Sequence, residues 1–332
     1  MSSIPNPLIN SVDFSGLPAE LKETVSRNPM LFNTILIDGF EKIRTDFNVI
    51  ECDEKTPLVS LEIQDILQPA KDEFDPTEGA VQFKARLPEF HDIDIDLSLR
   101  RSDILGFFRS YLKYVEGLKT QAEVLANPWP LFFLSKILEK AGHDLALTSA
   151  YRAIRNNSKK GALFVMNGLV YKLAQGRATG GDIKTGNVFN STRTAADFDT
   201  NAYDEVNQIG KLTEQYPELV GRPMTIEMSL TTYNSYKESR RKKSEMLIAL
   251  DDQPKTLDNY PHIKIKVEPG LGVSRFIWLT LDGNKFFTFN ENYKNFNAKM
   301  IESIKGYEVN IMFSADVNYG YGKYVFSNNR VD

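Results

Sequence analysis

The chain has 332 residues, 42% of them apolar, a formal net charge of −4 and an isoelectric point near 5.6. That is enough apolar material for one large or two interleaved domains with a real core. The acidic balance excludes a basic, tightly gripping nucleic-acid binder, while leaving room for a wall that encloses nucleic acid without holding it.

Cys52 is the only cysteine, which excludes an intrachain disulfide and a cysteine zinc cluster. The start, MSSIPNPLIN, has no basic region followed by an apolar run, so no secretion signal is read there. No segment reaches the roughly 18 apolar residues of a membrane span. The expectation is a soluble protein made in the cytosol, with no membrane contact.

Residues 1–28 are polar and carry Pro5 and Pro7. They predict an extended arm with one short helix near 20–26, ordered mainly against a neighbour. A short helix is predicted over 34–44 and a strand over 58–63. The following QPAKDEFDPTEG is charged and Pro-bearing, and reads as a loop or hairpin tip.

Two β runs come next, 80–87 and 91–99, joined by Pro88-Glu89-Phe90. A three-residue loop predicts a hairpin with Leu87 opposite His91. Arg86 then faces Asp92, Lys84 faces Asp94 and Gln82 faces Asp96. On the other face Ala85 meets Ile93, Phe83 meets Ile95 and Val81 meets Leu97. One face is apolar and the other alternates basic against acidic, each pair worth roughly 0.2–1 kcal/mol.

Asn127-Pro128-Trp129-Pro130 signals a helix start. Leu131, Leu134, Leu138, Ala141 and Leu145 then recur at steps of three and four, so a helix of about 25 residues is predicted, to near Ile154. Gly142 marks a place for it to bend. The block GALFVMNGLVYKLAQGRATGGDIKTGN reads as an apolar run, a short helix and a Gly-rich loop. Helices are predicted over 203–216 and 232–243, with a strand over 225–230 between them. The remainder reads as strands over 263–267, 276–281, 285–289, 307–313 and 323–326, with a helix over 296–303. The mixture predicts an α+β fold with strands from both ends of the chain.

No catalytic constellation emerges. Asp92, Asp94 and Asp96 share a strand face at roughly 6.5–7 Å spacing. That is too wide for neighbours to hold one ion alone, so an ion-paired hairpin is preferred to a metal-dependent hydrolase. The segment 176–186, GRATGGDIKTG, is phosphate-loop-like in composition only, because it follows a helix and lacks GK[ST]. It reads as a helix C-cap and flexible loop. His91, His143 and His262 are scattered singly, and neither Asn310 nor Tyr319-Gly320-Tyr321-Gly322 adds recognisable geometry. KESRRKK at 237–243 reads as a solvated helix before it reads as a nucleic-acid patch. The expectation is a non-enzyme without cofactor or metal.

The order of elements carries a resemblance. FDPTEGAVQFKARLPEFHDIDIDLSLRRSDIL looks like the returning half of an extended β-loop. PWPLFFLSKILEKAGHDLALTSAYRAI looks like a spine helix. GALFVMNGLVYKLAQGRATGGDI looks like the small-residue segment that opens an axial domain, and EQYPELVGRPMTIEMSLTTYNSY like its helix, strand and helix. YPHIKIKVEPGL with RFIWLTLDGNKFF, and finally KGYEVNIMFSADVNYGYGKYVF, look like the strands that re-enter the body and close it. In this order the chain resembles the major capsid proteins of tailed bacteriophages, which share the Hong Kong 97-type fold.

The resemblance implies an arm over 1–28, a short helix and lead-in strand over 29–55, and an extended β-loop with a peripheral-domain strand over 56–99. It implies a peripheral domain with the spine helix over 100–160, and an axial domain over 161–332 whose last strands return to the peripheral domain. The implied function is an icosahedral head, assembled in the host cytoplasm from many copies as hexamers and pentamers, around double-stranded DNA that is contacted weakly. A portal is implied, with a separate scaffolding protein or none. An encapsulin-type compartment shell and a tail or baseplate component are the other assembly readings. Subunit contacts are expected at Lys71, Asp72, Glu73, Asp75, Glu78, Lys84, Arg86, Asp92 and Asp94, where charged groups suit wet, reversible interfaces.

Overall fold

A computed structural model describes residues 41–53, 55–56, 58–63, 81–118, 129–243, 254–290, 297–303 and 306–330, with 18–20, 23, 120 and 123 besides. Most of the expected arm, the loop tip and most of the 34–44 helix lie outside the described residues. The described chain divides into two compact units. One is drawn from Asp92–His143 and Asn292–Ser314, the other from Lys42–His91, Asp144–Glu291 and Ala315–Asp332. No described helix is long and apolar enough to cross a membrane.

The first unit holds strand β4 (His91–Arg100) from Asp92 onward, helix α2 (Arg101–Glu116), helix α3 (Trp129–Asp144) up to His143, strand β11 (Asn297–Ser303) and the first part of β12 (Gly306–Tyr319). β12 takes β4 on one side and β11, antiparallel, on the other. Ile93, Met300, Tyr307, Val309, Ile311 and Phe313 are buried, the period-2 spacing of one sheet face. α2 starts where the Arg100 N–H meets the Asp103 carboxylate at 3.0 Å. It packs aromatic rings on α3: Phe107 against Phe133 and Phe108 against Trp129, both at 5.5 Å and 87°. Such edge-to-face pairs add roughly 0.5–1.5 kcal/mol to burial.

The second unit centres on a six-stranded mixed sheet. Its strands are β5 (Val188–Phe189), β6 (Met224–Met228), β7 (Thr256–Leu257), β8 (Tyr260–Val267), β9 (Ile277–Leu281) and β13 (Val325–Asn328), in the order β5-β13-β9-β6-β8-β7. β6 and β9 are buried along nearly their whole length, as central strands with both faces covered must be. Helix α6 (Ala195–Lys211) buries Phe198, Ala202, Val206 and Ile209, a stripe at helical period, among Met224, Ile226, Met228 and Leu279. Thr194 caps it, accepting from the Asp197 N–H at 3.2 Å. Helix α7 (Leu230–Lys243) lies on α6 through Tyr236, whose ring sits tilted at 33°, 5.6 Å from that of Tyr203.

The same unit contains helix α1 (Glu41–Asp46) from Lys42 on and strand β1 (Asn48–Cys52), parallel to β10 (Lys285–Asn290), which pairs antiparallel with residues 315–319 of β12. It also holds β2 (Leu58–Ile63) and β3 (Val81–Arg86), which pair antiparallel from Leu58↔Arg86 to Ile63↔Val81.

This last pairing corrects the predicted hairpin. β3 takes β2, and β4 takes β12. β12 offers 14 residues, buried along most of their length, a better match to Ile93 and its neighbours than the six residues of β3. The Pro88-Glu89-Phe90 connection is an elbow between sheets, not a hairpin turn.

Where a helix is expected over 296–303, residues 297–303 are likewise strand β11. Met300 sits opposite Val309, and that cross-strand burial overrides local propensity. The long helix starts at Trp129 as expected, but its irregularity is a π turn over Leu145–Ser149 and not a bend at Gly142. It closes with the short α4 (Ala150–Arg152).

Helix α5 (Leu169–Arg177) begins against that π turn. A Cβ on Gly168 would lie 2.7 Å from the carbonyl oxygens of Ser149 and Tyr151. Backbone atoms cannot rotate away, so Gly168→Ala is expected to cost about 1–3 kcal/mol. A lower urea midpoint at unchanged slope is the check.

Candidate functional site

The site is the root at which the β2–β3 ribbon returns to the body of the second unit. Arg86 ends β3. Its Nη1 donates to Asn318 Oδ1 and to the Tyr319 carbonyl, both at 2.8 Å, and its Nη2 donates to Asp182 Oδ2 at 2.5 Å. The guanidinium also lies over the Tyr319 ring, 3.8 Å from its centroid. Such a planar group satisfies forked and stacked partners together, which an ammonium cannot do.

Three residues on, the Glu89 N–H donates to Asp316 Oδ2 at 3.0 Å, and its carboxylate accepts from Lys172 Nζ at 2.6 Å. Lys172, on α5, is 8% exposed and also faces Asp316 Oδ1 at 3.3 Å; Asp316 is fully buried. Arg86, Glu89, Lys172, Asp182, Asn318 and Tyr319 line a cavity of about 280 Å³ with Gln175, Gly176 and Gly181.

The electrostatics follow from burial and pairing. Burial disfavours the Glu89 carboxylate, but the Lys172 hydrogen bond and charge outweigh it and hold the group below its ordinary range. Burial pushes the Asp316 carboxyl up, against the pull of Lys172. The Tyr319 phenol is pushed up first by burial; the Arg86 charge opposes this and the Asp182 acceptor at 2.7 Å adds to it.

The Gly-rich segment has its reason here. A Cβ on Gly176 would fall 1.8 Å from the Tyr319 hydroxyl, and one on Gly181 would fall 2.1 Å from the Gly176 carbonyl. Gly180 has φ +85°, open to glycine at little cost. The loop is folded tightly to bring Asp182 to Arg86 and Tyr319, so the expected C-cap leads into a packed loop and not simply a flexible one. Asp182, Lys172, Asp316 and Tyr319 escape sequence reasoning. The one available signal is an aspartate inside the apolar strand IMFSADVNY.

Of the expected contact residues, Lys71, Asp72, Glu73, Asp75 and Glu78 lie outside the described residues, as does the side chain of Lys84. Arg86 turns inward to Asp182 and does not pair Asp92. Asp92 instead accepts from the Ser314 hydroxyl at 2.5 Å, Asp96 accepts from Asn310 Nδ2 at 2.8 Å, and Asp94 is exposed. Among the described residues no group of three His, Cys, Asp or Glu side chains is placed to hold a metal ion. The KESRRKK helix is largely neutralised within its own unit. Arg240 forks onto Asp258 at 2.8 and 2.7 Å, Lys242 meets Glu238 at 2.9 Å and Lys243 meets Asp204.

No family model matches the chain, and no curated protein matches it. Solved structures do. A chain of the satellite phage P4 procapsid, a structure that includes the size determination (Sid) protein, aligns over 92% of this chain and 90% of its own, with a TM-score of 0.56 at 12% identity. A chain of the capsid of Myoviridae phage XM1 aligns over 84% and 88%, with a TM-score of 0.47 at 12% identity. A chain of the virus-like particle from Pyrococcus furiosus aligns over 89% and 96%, with a TM-score of 0.40 at 7% identity. The chain therefore shares its α+β fold with the chain of the satellite phage P4 procapsid, at an identity where the likeness is one of fold alone.

Proposed function

We propose that this chain is a major capsid protein that assembles, as hexamers and pentamers, into an icosahedral head around double-stranded DNA. The observation that carries the reading is the fold likeness to the P4 procapsid chain over nine-tenths of both chains. The ribbon supports it: β2 and β3 hydrogen-bond to no other strand among the described residues, and a two-stranded ribbon alone is marginal in water. In this reading the ribbon is the extended β-loop and reaches a neighbouring subunit, α3 is the spine helix, and the six-stranded sheet with α6 and α7 is the axial domain. Lys71, Asp72, Glu73, Asp75 and Glu78 lie at the loop tip and meet the neighbour, with Lys84 on the ribbon and Asp94 on an exposed face. The acidic chain leaves packaged DNA loosely held. A portal and a separate scaffolding protein complete the assembly.

Expressing the chain alone, and again with any small acidic product of a neighbouring gene, tests this by negative-stain microscopy. Closed isometric particles that package DNA are the expected result. Closed particles filled by a single cargo protein would instead mark a compartment shell. Tubes, rings or a monomer at high concentration would overturn the head assignment.

A further inference from the structure

The ribbon has two roots. At the outgoing one, Asp53 Oδ1 accepts from the Lys55 N–H at 2.9 Å and from the Thr56 hydroxyl at 2.8 Å. Those bonds shape a local turn directly after the Cys52↔Asn290 pairing of β1 with β10. At the returning root, beside a local contact of Glu89 with His91 at 4.0 Å, the hydrogen bonds are long-range: Arg86 reaches Asp182, Asn318 and Tyr319, and Glu89 reaches Asp316 and Lys172.

We propose that Arg86 and Glu89 are positioning residues, a two-point clamp that sets the direction in which the β2–β3 ribbon leaves the body. One anchor fixes where a ribbon starts. Two anchors three residues apart, roughly 10 Å along an extended chain, also fix where it points. The receptor for the first anchor is rigid. Tyr319 and Asn318 are buried, and Gly176, Gly181 and Gly322 let the Asp182 loop close onto them, since a Cβ at Gly322 would sit 2.3 Å from the Asp182 carboxylate. The receptor for the second is Lys172 and Asp316, both buried.

The geometry of the clamp is independent of assembly, while its consequence for shell curvature rests on the capsid reading. Aim matters in a closed shell because a ribbon pointing a few degrees off misses its seat on a neighbour, and rings then fail to close.

The test is a distance distribution between nitroxide labels at Ser60, in β2, and at exposed Val220, measured by pulsed electron resonance. It uses the full chain with Cys52→Ser, kept below the concentration at which it assembles. The parent is expected to give one narrow peak. Arg86→Ala is expected to broaden it about twofold, because an unanchored ribbon samples several directions. Arg86→Lys keeps the charge but loses the fork and the stack, so it stays broad as well. Glu89→Gln, which keeps the N–H bond to Asp316 and loses the charge on Lys172, is expected to broaden it less and serves if Arg86→Ala does not fold. An unchanged peak in the folded variants overturns the clamp. If the variants broaden but the parent forms no particles, the clamp stands and the capsid reading falls.

Discussion

A chain lacking residues 69–78 is expected to fold into a soluble subunit that no longer closes particles. The cut leaves seven residues between Ile63 and Val81, which pair across the ribbon, and seven are enough for a hairpin loop. The deletion keeps every described residue of the buried clusters around Phe198, Met224 and Ile277, and around Val309 and Phe313, so the thermal midpoint is expected to move by only a few degrees. Assembly loses much more. A stable protein interface buries about 800 Å² on each partner, and an extended loop supplies such area without enlarging the core. Under the capsid reading the deletion removes Lys71, Asp72, Glu73, Asp75 and Glu78, the charged groups assigned to the neighbour. Sedimentation and microscopy of the variant are the check. Normal closed particles from the deletion would refute the role given to the loop, whereas an insoluble product would show that the ribbon serves the fold itself.

The parts of this molecule legible in its sequence are those with a period or a boundary of their own. The Asn127-Pro128 start and the Leu134, Leu138, Leu145 stripe locate α3 within a residue or two. Strands β8, β9 and β10 stand close to their expected places because each is bounded by Pro, Gly or Asp-Gly turns. The prediction over 203–216 finds only the back of α6. Its front is interrupted at Asn201, where φ −125° departs from helical geometry. Helix α2 goes unread because HDIDIDLSLR runs into RSDIL with no Gly or Pro, and only Ile104 is fully buried along it. The ribbon root is illegible for a different reason. Arg86, Glu89, Lys172, Asp182, Asp316 and Tyr319 come from four segments, and their pairing is decided by which strand β12 accepts. Local charge alternation favours Arg86 with Asp92, but a half-buried forked seat on Asn318, Tyr319 and Asp182 is worth more than an exposed cross-strand pair.

Glu227→Ala is expected to destabilise the subunit by about 3–5 kcal/mol, the usual result of removing one member of a buried ionic group. Glu227 is 2% exposed, in the middle of β6. Its carboxylate accepts from Lys285 Nζ through one oxygen and from the Trp278 indole N–H at 3.0 Å through the other. Lys266 stands 3.4 Å from the same carboxylate, 2.5 Å from Asp46 and 3.4 Å from Glu268. Three carboxylates thus share two ammonium groups, and Lys285 is walled by the rings of Phe47, Tyr151 and Trp278 at 5.1–5.8 Å. Burial and the same carboxylates push the Tyr151 phenol well above its usual range, so that ring stays neutral and cannot replace the lost charge. Without Glu227 the Lys285 ammonium is left in an aromatic cage with no counter-ion, while Lys266 keeps Asp46 and Glu268. The loss therefore concentrates on Lys285, and Glu227→Leu combined with Lys285→Met is expected to recover most of it, since a well-packed apolar pair often equals a buried ionic one. Urea unfolding of the unassembled subunit, run as a double-mutant cycle, measures the coupling. Additive losses in the double variant would show that Glu227 and Lys285 act separately, and that the network is held by packing alone.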